Sequence, residues 1–173
     1  TGLRIVDMVR EDLTPTRIMT RKSLENAIVL NSALGGSTNA PIHINAIARH
    51  VGVELRIEDW QKIGFEIPLL VNMQPSGKYL GEDFYRAGGV PAVMNSLLNA
   101  GKLNDNVITA NGKTISDNYA QSPTQDKDVI RTCEEPIIEN AGLIILKGNI
   151  CDAAVMKTSV ISDKFRSQYL SRP

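Results

Sequence analysis

The chain has 173 residues, of which 42% are apolar and 22% are charged, a composition typical of globular rather than disordered proteins. Its 19 basic residues equal its 19 acidic residues, so no net field would attract nucleic acid or an anionic membrane. No apolar run approaches the roughly 20 residues of a membrane helix, and no signal peptide opens the chain. We expect a cytoplasmic protein without nucleic-acid or membrane partners, or a mitochondrial one if the source is eukaryotic, in which case the targeting segment would lie outside this chain.

The apolar pattern alternates helices with short strands. Helical spacing covers residues 1–13, 24–34, 42–50, 57–64, 81–87 and 90–98. Residues 67–71 form a continuous apolar run, which is typical of a buried strand in a parallel sheet. Because proline is tolerated at the start of a strand but not in its middle, Pro68 indicates where this strand begins. The sequence therefore predicts an α/β fold.

Beyond residue 106 the composition changes. Asn111-Gly112 predicts a hairpin turn between two short strands. The polar segment 116–127 predicts a linker or long loop, and residues 143–146 predict a strand that begins a second region. We place a domain boundary between about residues 116 and 141.

The ends suggest a piece of a longer chain. The opening residues resemble the later part of a helix, and residues 165–170 precede Pro173 without an obvious closing element. Cys133 and Cys151 stand far apart and outside any compact metal motif, so we expect two reduced thiols rather than a disulfide or a zinc site.

A glycine pair between two helices is the strongest local feature. Gly35 suits the left-handed residue that ends one helix, while Ser37, Thr38 and Asn39 are good N-cap residues for the next. Free N–H groups at a helix start, beside a glycine, can bind a carboxylate or phosphate. The alternative is a plain corner between two helices.

Two further side chains have open interpretations. His43, in the first turn of the second helix, is either a ligand-facing donor or a hydrogen-bonded, half-buried histidine. Lys78 follows the predicted strand 67–71, at the end where ligands bind in open α/β sheets, and it either pairs with a carboxylate or is solvated. The carboxylates are scattered, so the pattern assigns no catalytic residue and no metal ligand.

Five motifs together resemble the dihydroxy-acid dehydratase family, which includes phosphogluconate and pentonate dehydratases. They are Gly35-Gly36-Ser37-Thr38-Asn39 with Ala40-Pro41-Ile42-His43, Pro75-Ser76-Gly77-Lys78-Tyr79, Arg86-Ala87-Gly88-Gly89-Val90-Pro91-Ala92-Val93, Asn111-Gly112-Lys113-Thr114-Ile115 and Met156-Lys157-Thr158-Ser159. Asn72-Met73-Gln74, Leu80-Gly81-Glu82-Asp83 and Val160-Ile161-Ser162 favour the sugar-acid branch, which contains arabinonate and xylonate dehydratases.

The resemblance implies a hydro-lyase that converts a 2,3-dihydroxy acid to a 2-keto acid, using an iron–sulfur cluster, Mg²⁺ and a serine base. By the family's layout, the ligands of both groups and the serine lie outside residues 1–173, so we expect this chain alone to bind neither group tightly and to be inactive. Its implied substrate-binding residues are Gly36, Ser37, Thr38, Asn39, His43 and Lys78.

The implied fold is the C-terminal part of a parallel-sheet α/β/α domain over residues 1–125. Residues 126–173 would form a linker and the first strands of a β-barrel-like second domain. The parent is expected to be a homo-oligomer that acts on a small sugar acid or dihydroxy acid. Two alternatives stay open: a dihydroxy-acid dehydratase of branched-chain amino-acid synthesis, and a non-catalytic α/β module that binds a small carboxylate.

Overall fold

The computed structural model describes residues 2–165. The helices are α1 (Gly2–Arg10), α2 (Pro15–Ile18), α3 (Arg21–Ala33), α4 (Ala40–His50), α5 (Ile57–Gly64), α6 (Gly81–Arg86), α7 (Gly89–Asn99), α8 (Ile115–Tyr119) and the short α9 (Asp163–Phe165), and a 3₁₀ turn covers Thr158–Val160. The strands are β1 (Leu143–Leu146) and β2 (Ala154–Lys157). The expected open end after residue 165 lies outside the described residues.

Helix α3 is the centre of the fold. It begins at the N-cap Thr20, whose hydroxyl accepts a hydrogen bond from the Ser23 N–H. Its buried face packs against α4, α5 and α7. The approach to α5 is close, because a Cβ on Gly64 would lie 2.6 Å from Ser32 Oγ and 3.1 Å from Ile28 Cγ2. A glycine at residue 64 therefore lets these two helices touch.

The main core joins α3 and α7 to extended segments on both sides of α7. Its buried members are Val29, Ala33, Ile67, Leu70, Val71, Ala87, Ala92, Val93, Leu97, Val129 and Ile130. A second cluster contains the fully buried Trp60 of α5 with Ile28 and Leu143. Segments from both sides of residue 125 thus share these clusters, and the division of the longer protein at that residue stays a prediction.

The predicted helices are confirmed, but the predicted parallel sheet does not form within residues 2–165. The sheet in this part of the chain consists of β1 and β2, paired antiparallel with Leu143 opposite Lys157. The run 67–71 is buried and extended, yet it makes only single antiparallel bridges, Leu69 with Ile138 and Val71 with Ile130. A parallel sheet needs a second strand running the same way, and the segments that reach this run point in the opposite direction.

The predicted linker was wrong at its first residues, which form α8. The Thr114 hydroxyl accepts from the Asp117 N–H, while the Asp117 carboxylate accepts from the Thr114 N–H. This reciprocal capping starts a helix directly after the predicted turn. The turn itself is present, with the Thr109 N–H donating to the Lys113 carbonyl at 2.9 Å. From residue 2 to residue 165, no helix is long and apolar enough to cross a membrane.

Candidate functional site

The glycine pair ends α3 as the sequence predicts. Gly35 has φ +58°, and its N–H donates to the Ser32 carbonyl at 3.0 Å. The Gly36 N–H donates to the Asn31 carbonyl at 2.7 Å. This pair of bonds is a Schellman motif, which requires a left-handed residue after the helix. The loop is held further by the extended run, since the Leu70 N–H donates to the Ala33 carbonyl.

The start of α4 differs from the expected anion site. Its N-cap Asn39 has helical backbone angles and makes no side-chain capping bond. The N–H groups of Asn39 and Ala40 donate to the hydroxyl and carbonyl of Ser37, and the Ile42 N–H donates to the Asn39 carbonyl. These three donors are therefore used within the chain.

Free donors lie earlier in the loop. In the part of the chain that the structure describes, the N–H groups of Ser37 and Thr38 donate no hydrogen bond to another residue. Both residues line a cavity of about 530 Å³. The loop therefore borders a space large enough for a small ligand, while Ser37 and Thr38 are themselves exposed. The choice between an anion site and a plain corner stays a prediction.

The cavity lies between the glycine loop, the segment after the extended run and the end of β2. Its lining consists of Leu34, Gly35, Gly36, Ser37, Thr38, Met73, Gln74, Pro75 and Lys157. Lys157 also lines an adjoining crevice, too narrow for a water molecule, together with Asn31, Ser32, Gly35, Gly36, Ala141, Gly142, Leu143 and Ser159. Lys157 is half-buried, and burial lowers its pKa from the ordinary value of 10.5.

Three buried polar atoms beside the glycine pair have no hydrogen-bond partner: Asn31 Nδ2, Ser76 Oγ and Ser159 Oγ. The position of a Cβ on Gly35 would be 3.6 Å from Ser76 Oγ and 3.5 Å from Ser159 Oγ. A Cβ on Gly36 would collide with the Asn31 amide. Buried polar groups are normally hydrogen-bonded, but the residues that carry these three atoms do not line the larger cavity, and the crevice beside Asn31 and Ser159 has no room for a ligand.

The structure brings three of the six predicted substrate-binding residues to the cavity: Gly36, Ser37 and Thr38. Asn39 and His43 are exposed and do not line it. Lys78 is also exposed and outside the lining, with its ammonium 5.2 Å from the ring centre of Tyr79. The substrate-binding roles of all six residues stay predictions.

Sequence reasoning missed Lys157, Asn31 and Ser159 as members of this site. Lys157 and Ser159 belong to the quoted motif Met156-Lys157-Thr158-Ser159. Their position in that motif was the available signal, but nothing in their spacing shows that the end of β2 returns to the glycine loop.

A second cavity of about 250 Å³ is lined by residues of α7 and of the segment 123–134, and it is less suited to a ligand. Its buried amide, Asn95 Nδ2, donates to the carbonyls of Tyr119 and Ala120. The Ser96 hydroxyl accepts from the Cys133 N–H. Its central polar groups are thus already satisfied, unlike those beside the glycine pair.

No metal-binding set forms within residues 2–165, where no three His, Cys, Asp or Glu side chains come together. Cys133 is half-buried beside Ser96, and burial raises the pKa of its thiol. Cys151 is exposed. These two residues do not fit as holders of an iron–sulfur cluster or Mg²⁺.

Comparison with known proteins places the chain in a family. The sequence model described as dihydroxy-acid/6-phosphogluconate dehydratase N-terminal matches residues 1–118. The chain belongs to the dihydroxy-acid/6-phosphogluconate dehydratase family. This confirms the resemblance carried by the five motifs.

Relatives of this dehydratase-family chain include both sugar-acid and dihydroxy-acid enzymes. It is 53% identical over 173 residues, all of the chain, to D-xylonate dehydratase of Caulobacter vibrioides, of which it covers 29%. It is 45% identical over 163 residues to L-arabinonate dehydratase of Rhizobium leguminosarum bv. trifolii, with 94% of the chain and 28% of the relative covered. It is 43% identical over 162 residues to dihydroxy-acid dehydratase of Ignicoccus hospitalis, with 93% and 29% covered. The chain therefore spans less than a third of the length of these relatives.

Proposed function

We propose that this dehydratase-family chain is part of a hydro-lyase that removes water from a pentonate-type 2,3-dihydroxy acid and forms a 2-keto-3-deoxy acid. The observation that carries the proposal is the 53% identity to D-xylonate dehydratase over the whole chain, against 43% to a dihydroxy-acid dehydratase over 93% of it. The motifs that favour the sugar-acid branch support the same substrate class.

The cavity beside the glycine pair supports a polyhydroxylated ligand. Sugar acids carry one carboxylate and several hydroxyls, and each of these groups needs a hydrogen-bond partner when it leaves water. The lining offers two free backbone N–H groups, the hydroxyls of Ser37 and Thr38, the Gln74 amide and the Lys157 ammonium. Gly36, Ser37 and Thr38 are thus proposed to contact the substrate, while Asn39, His43 and Lys78 reach it from neighbouring positions.

The rest of the protein is proposed to supply the remaining chemistry. The family resemblance supports an iron–sulfur cluster and Mg²⁺ held outside residues 1–173, a β-barrel-like domain that begins near residue 126, and a cytoplasmic homo-oligomer. Under this proposal the present segment binds and orients the acid, and it does not itself remove the proton or the hydroxyl.

The test uses a protein as long as the relatives, isolated without oxygen and assayed for iron and acid-labile sulfide. Its activity is then measured on a panel of substrates. The panel contains D-xylonate, L-arabinonate, 6-phosphogluconate and 2,3-dihydroxyisovalerate, and 2-keto acid formation is measured. We expect kcat/KM for a pentonate to exceed that for the other two acids by at least about tenfold, or about 1.4 kcal/mol of transition-state stabilisation.

Two results would overturn this proposal. Preferred turnover of 2,3-dihydroxyisovalerate would assign the alternative function in branched-chain amino-acid synthesis, since relatives named dihydroxy-acid dehydratase also match this chain at 43% and 45% identity. No turnover of any acid by an iron-loaded protein would leave a carboxylate-binding module without catalysis.

A further inference from the structure

Helix α1 presents most of its apolar side chains to solvent. Leu3, Ile5, Val6 and Val9 are 89%, 54%, 49% and 77% exposed, and no residue of Gly2–Arg10 is buried. Leu3, Val6 and Val9 follow one another at steps of three residues, and Ile5 precedes Val9 by four, so the four side chains share one broad face of the helix. We call this surface the α1 face.

The other side of α1 contacts the domain mainly through polar groups. Arg4 Nε donates to the Ala110 carbonyl at 2.7 Å, and Arg4 Nη1 donates to Glu11 Oε1 at 2.7 Å. A Cβ on Gly112 would lie 3.5 Å from Arg4 Nη2 and 3.8 Å from Glu11 Oε2, so this ion pair lies against the hairpin turn. Met8 is the one apolar side chain of α1 that is half-buried.

This orientation is the reverse of that of an ordinary surface helix, which packs its apolar side on the core and turns its charges to water. A helix of nine residues is too short to be stable in water by itself, and most helices in proteins depend on packing of an apolar face. A partly exposed ion pair such as Arg4–Glu11 contributes little stability. The α1 face therefore requires a covering surface that residues 2–165 do not supply.

The length of the relatives favours one source for this covering surface. All 173 residues match D-xylonate dehydratase of Caulobacter vibrioides but span only 29% of it, so more than two thirds of that relative lies outside the matched part. A second copy is less favourable, because a stable dimer interface uses about 20–30 residues on each side, and the α1 face has four. A segment of the same polypeptide is already tethered, so its docking costs less translational and rotational freedom.

We propose that the α1 face is a docking surface inside the full-length protein, covered by an apolar segment of the same polypeptide from outside residues 1–173. Leu3, Ile5, Val6 and Val9 are its contact residues. The bonds of Arg4 to the hairpin turn hold the helix with this face outward, ready for that segment. The inference goes beyond the proposed function, because the docking requires neither substrate nor turnover.

The first experiment measures whether solvent reaches the α1 face in the full-length protein. Leu3→Cys and Val9→Cys are each labelled with a charged maleimide, in native buffer and in urea, and peptide mass spectrometry separates these thiols from the other cysteines. We expect both thiols to react at least about tenfold more slowly in native buffer, because a covered side chain reacts only after local opening. Thr16→Cys, at an exposed residue of α2, is the control and should react at similar rates in both conditions.

The second experiment identifies the covering segment. A photoreactive benzophenone amino acid replaces Val9 in the full-length protein, and subunits carrying light nitrogen are assembled together with subunits carrying heavy nitrogen before illumination. Mass spectrometry of the joined peptides shows which part of the chain was captured and whether both peptides came from one subunit. We expect peptides from outside residues 1–173 that carry the same nitrogen isotope as the α1 peptide.

Each outcome decides for or against the inference. Rapid native labelling of both Leu3→Cys and Val9→Cys would show that water reaches the α1 face and would overturn it. Joined peptides of mixed isotope would assign the face to a second copy, which also overturns it. If the variants do not fold, hydrogen exchange of Gly2–Arg10 in the unaltered full-length protein decides, and exchange as fast as in an unstructured peptide would contradict docking. Absence of sugar-acid turnover would remove the proposed function and leave this inference standing.

Discussion

The hydroxyls of Ser76 and Ser159 both lie close to Gly35. The position of a Cβ on Gly35 would be 3.6 Å from Ser76 Oγ and 3.5 Å from Ser159 Oγ, and neither hydroxyl has a partner. Ser76 comes from the loop after the extended run, and Ser159 follows β2. Gly35 is therefore the place where these two distant segments meet the end of α3.

Replacing this glycine should destabilise the fold at the site. In Gly35→Ala, the left-handed backbone costs about 1–2 kcal/mol, and the new Cβ would lie 2.8 Å from Leu69 Cδ1. We expect the free energy of unfolding to fall by about 2–4 kcal/mol in urea denaturation, followed through the fluorescence of the buried Trp60, the only tryptophan.

Gly52→Ala is the matched control. Gly52 also has a positive φ, +74°, but a Cβ there would meet nothing within 4 Å. Its loss should be limited to the backbone cost of about 1–2 kcal/mol. Equal losses in the two variants would show that the contact with Leu69 adds nothing.

Removing the Ser37 hydroxyl should impair the proposed activity of the full-length protein. Ser37 lines the cavity, and its oxygen accepts from the Asn39 N–H at 3.1 Å, which fixes the loop that presents the free amides. We expect Ser37→Ala to lower kcat/KM for a pentonate at least about tenfold. Ser122→Ala, outside the cavity lining, should retain the activity. Unchanged kinetics in Ser37→Ala would remove this hydroxyl from substrate binding.

The Arg21–Asp59 pair should contribute to stability in a pH-dependent way. Arg21 donates to Asp59 Oδ2 at 2.9 Å, and the same carboxylate accepts from the Arg56 N–H that precedes α5. The hydrogen bond from Arg21, more than the Arg56 N–H or nearby charges, lowers the pKa of Asp59 below 3.8, against the opposing effect of burial. We expect Asp59→Asn to lower the free energy of unfolding by about 1–2 kcal/mol at pH 7.

The sign of the pH dependence follows from the lowered pKa. The carboxylate contributes its full stabilisation above pH 3.8 and loses it as the pH falls through the folded-state value. The difference between the unaltered chain and Asp59→Asn should therefore shrink below pH 3.8. Arg86→Gln, which breaks the exposed pair with Glu82, should cost less than about 1 kcal/mol. A difference that stays constant down to pH 2 would contradict this assignment.

The buried side-chain amide of Asn26 bonds both backbone groups of Asn104, and its loss should be costly. Asn26 is 4% exposed; its Nδ2 donates to the Asn104 carbonyl at 2.9 Å, and its Oδ1 accepts from the Asn104 N–H at 2.8 Å. Asn26→Ala would leave both backbone groups without a partner, so we expect a loss of about 2–4 kcal/mol in urea denaturation. The exposed Asn99 is the control, and Asn99→Ala should change stability by less than about 0.5 kcal/mol. Similar values for both variants would mean that water replaces the Asn26 bonds.

The sequence by itself determined the local structure and the family. The left-handed end of α3 at Gly35 and the helix over Ile57–Gly64 follow from residue types within one or two turns, because caps and apolar spacing act over short distances. The five motifs identified the family for the same reason, since each is a short run of residues. The sequence analysis did not predict the helix at Ile115–Tyr119, although its capping residues, Thr114 and Asp117, stand three residues apart as a capping box requires.

Only the tertiary structure decided what lies beside the glycine pair. The extended run 67–71 looked like a parallel strand, but its partners, Ile130 and Ile138, approach from the opposite direction. Lys157 reaches the cavity because β2 pairs with β1, and Leu143 of β1 packs against Trp60 of α5. Contacts between segments about a hundred residues apart depend on how buried surfaces fit together, and no local pattern of residue types encodes that fit.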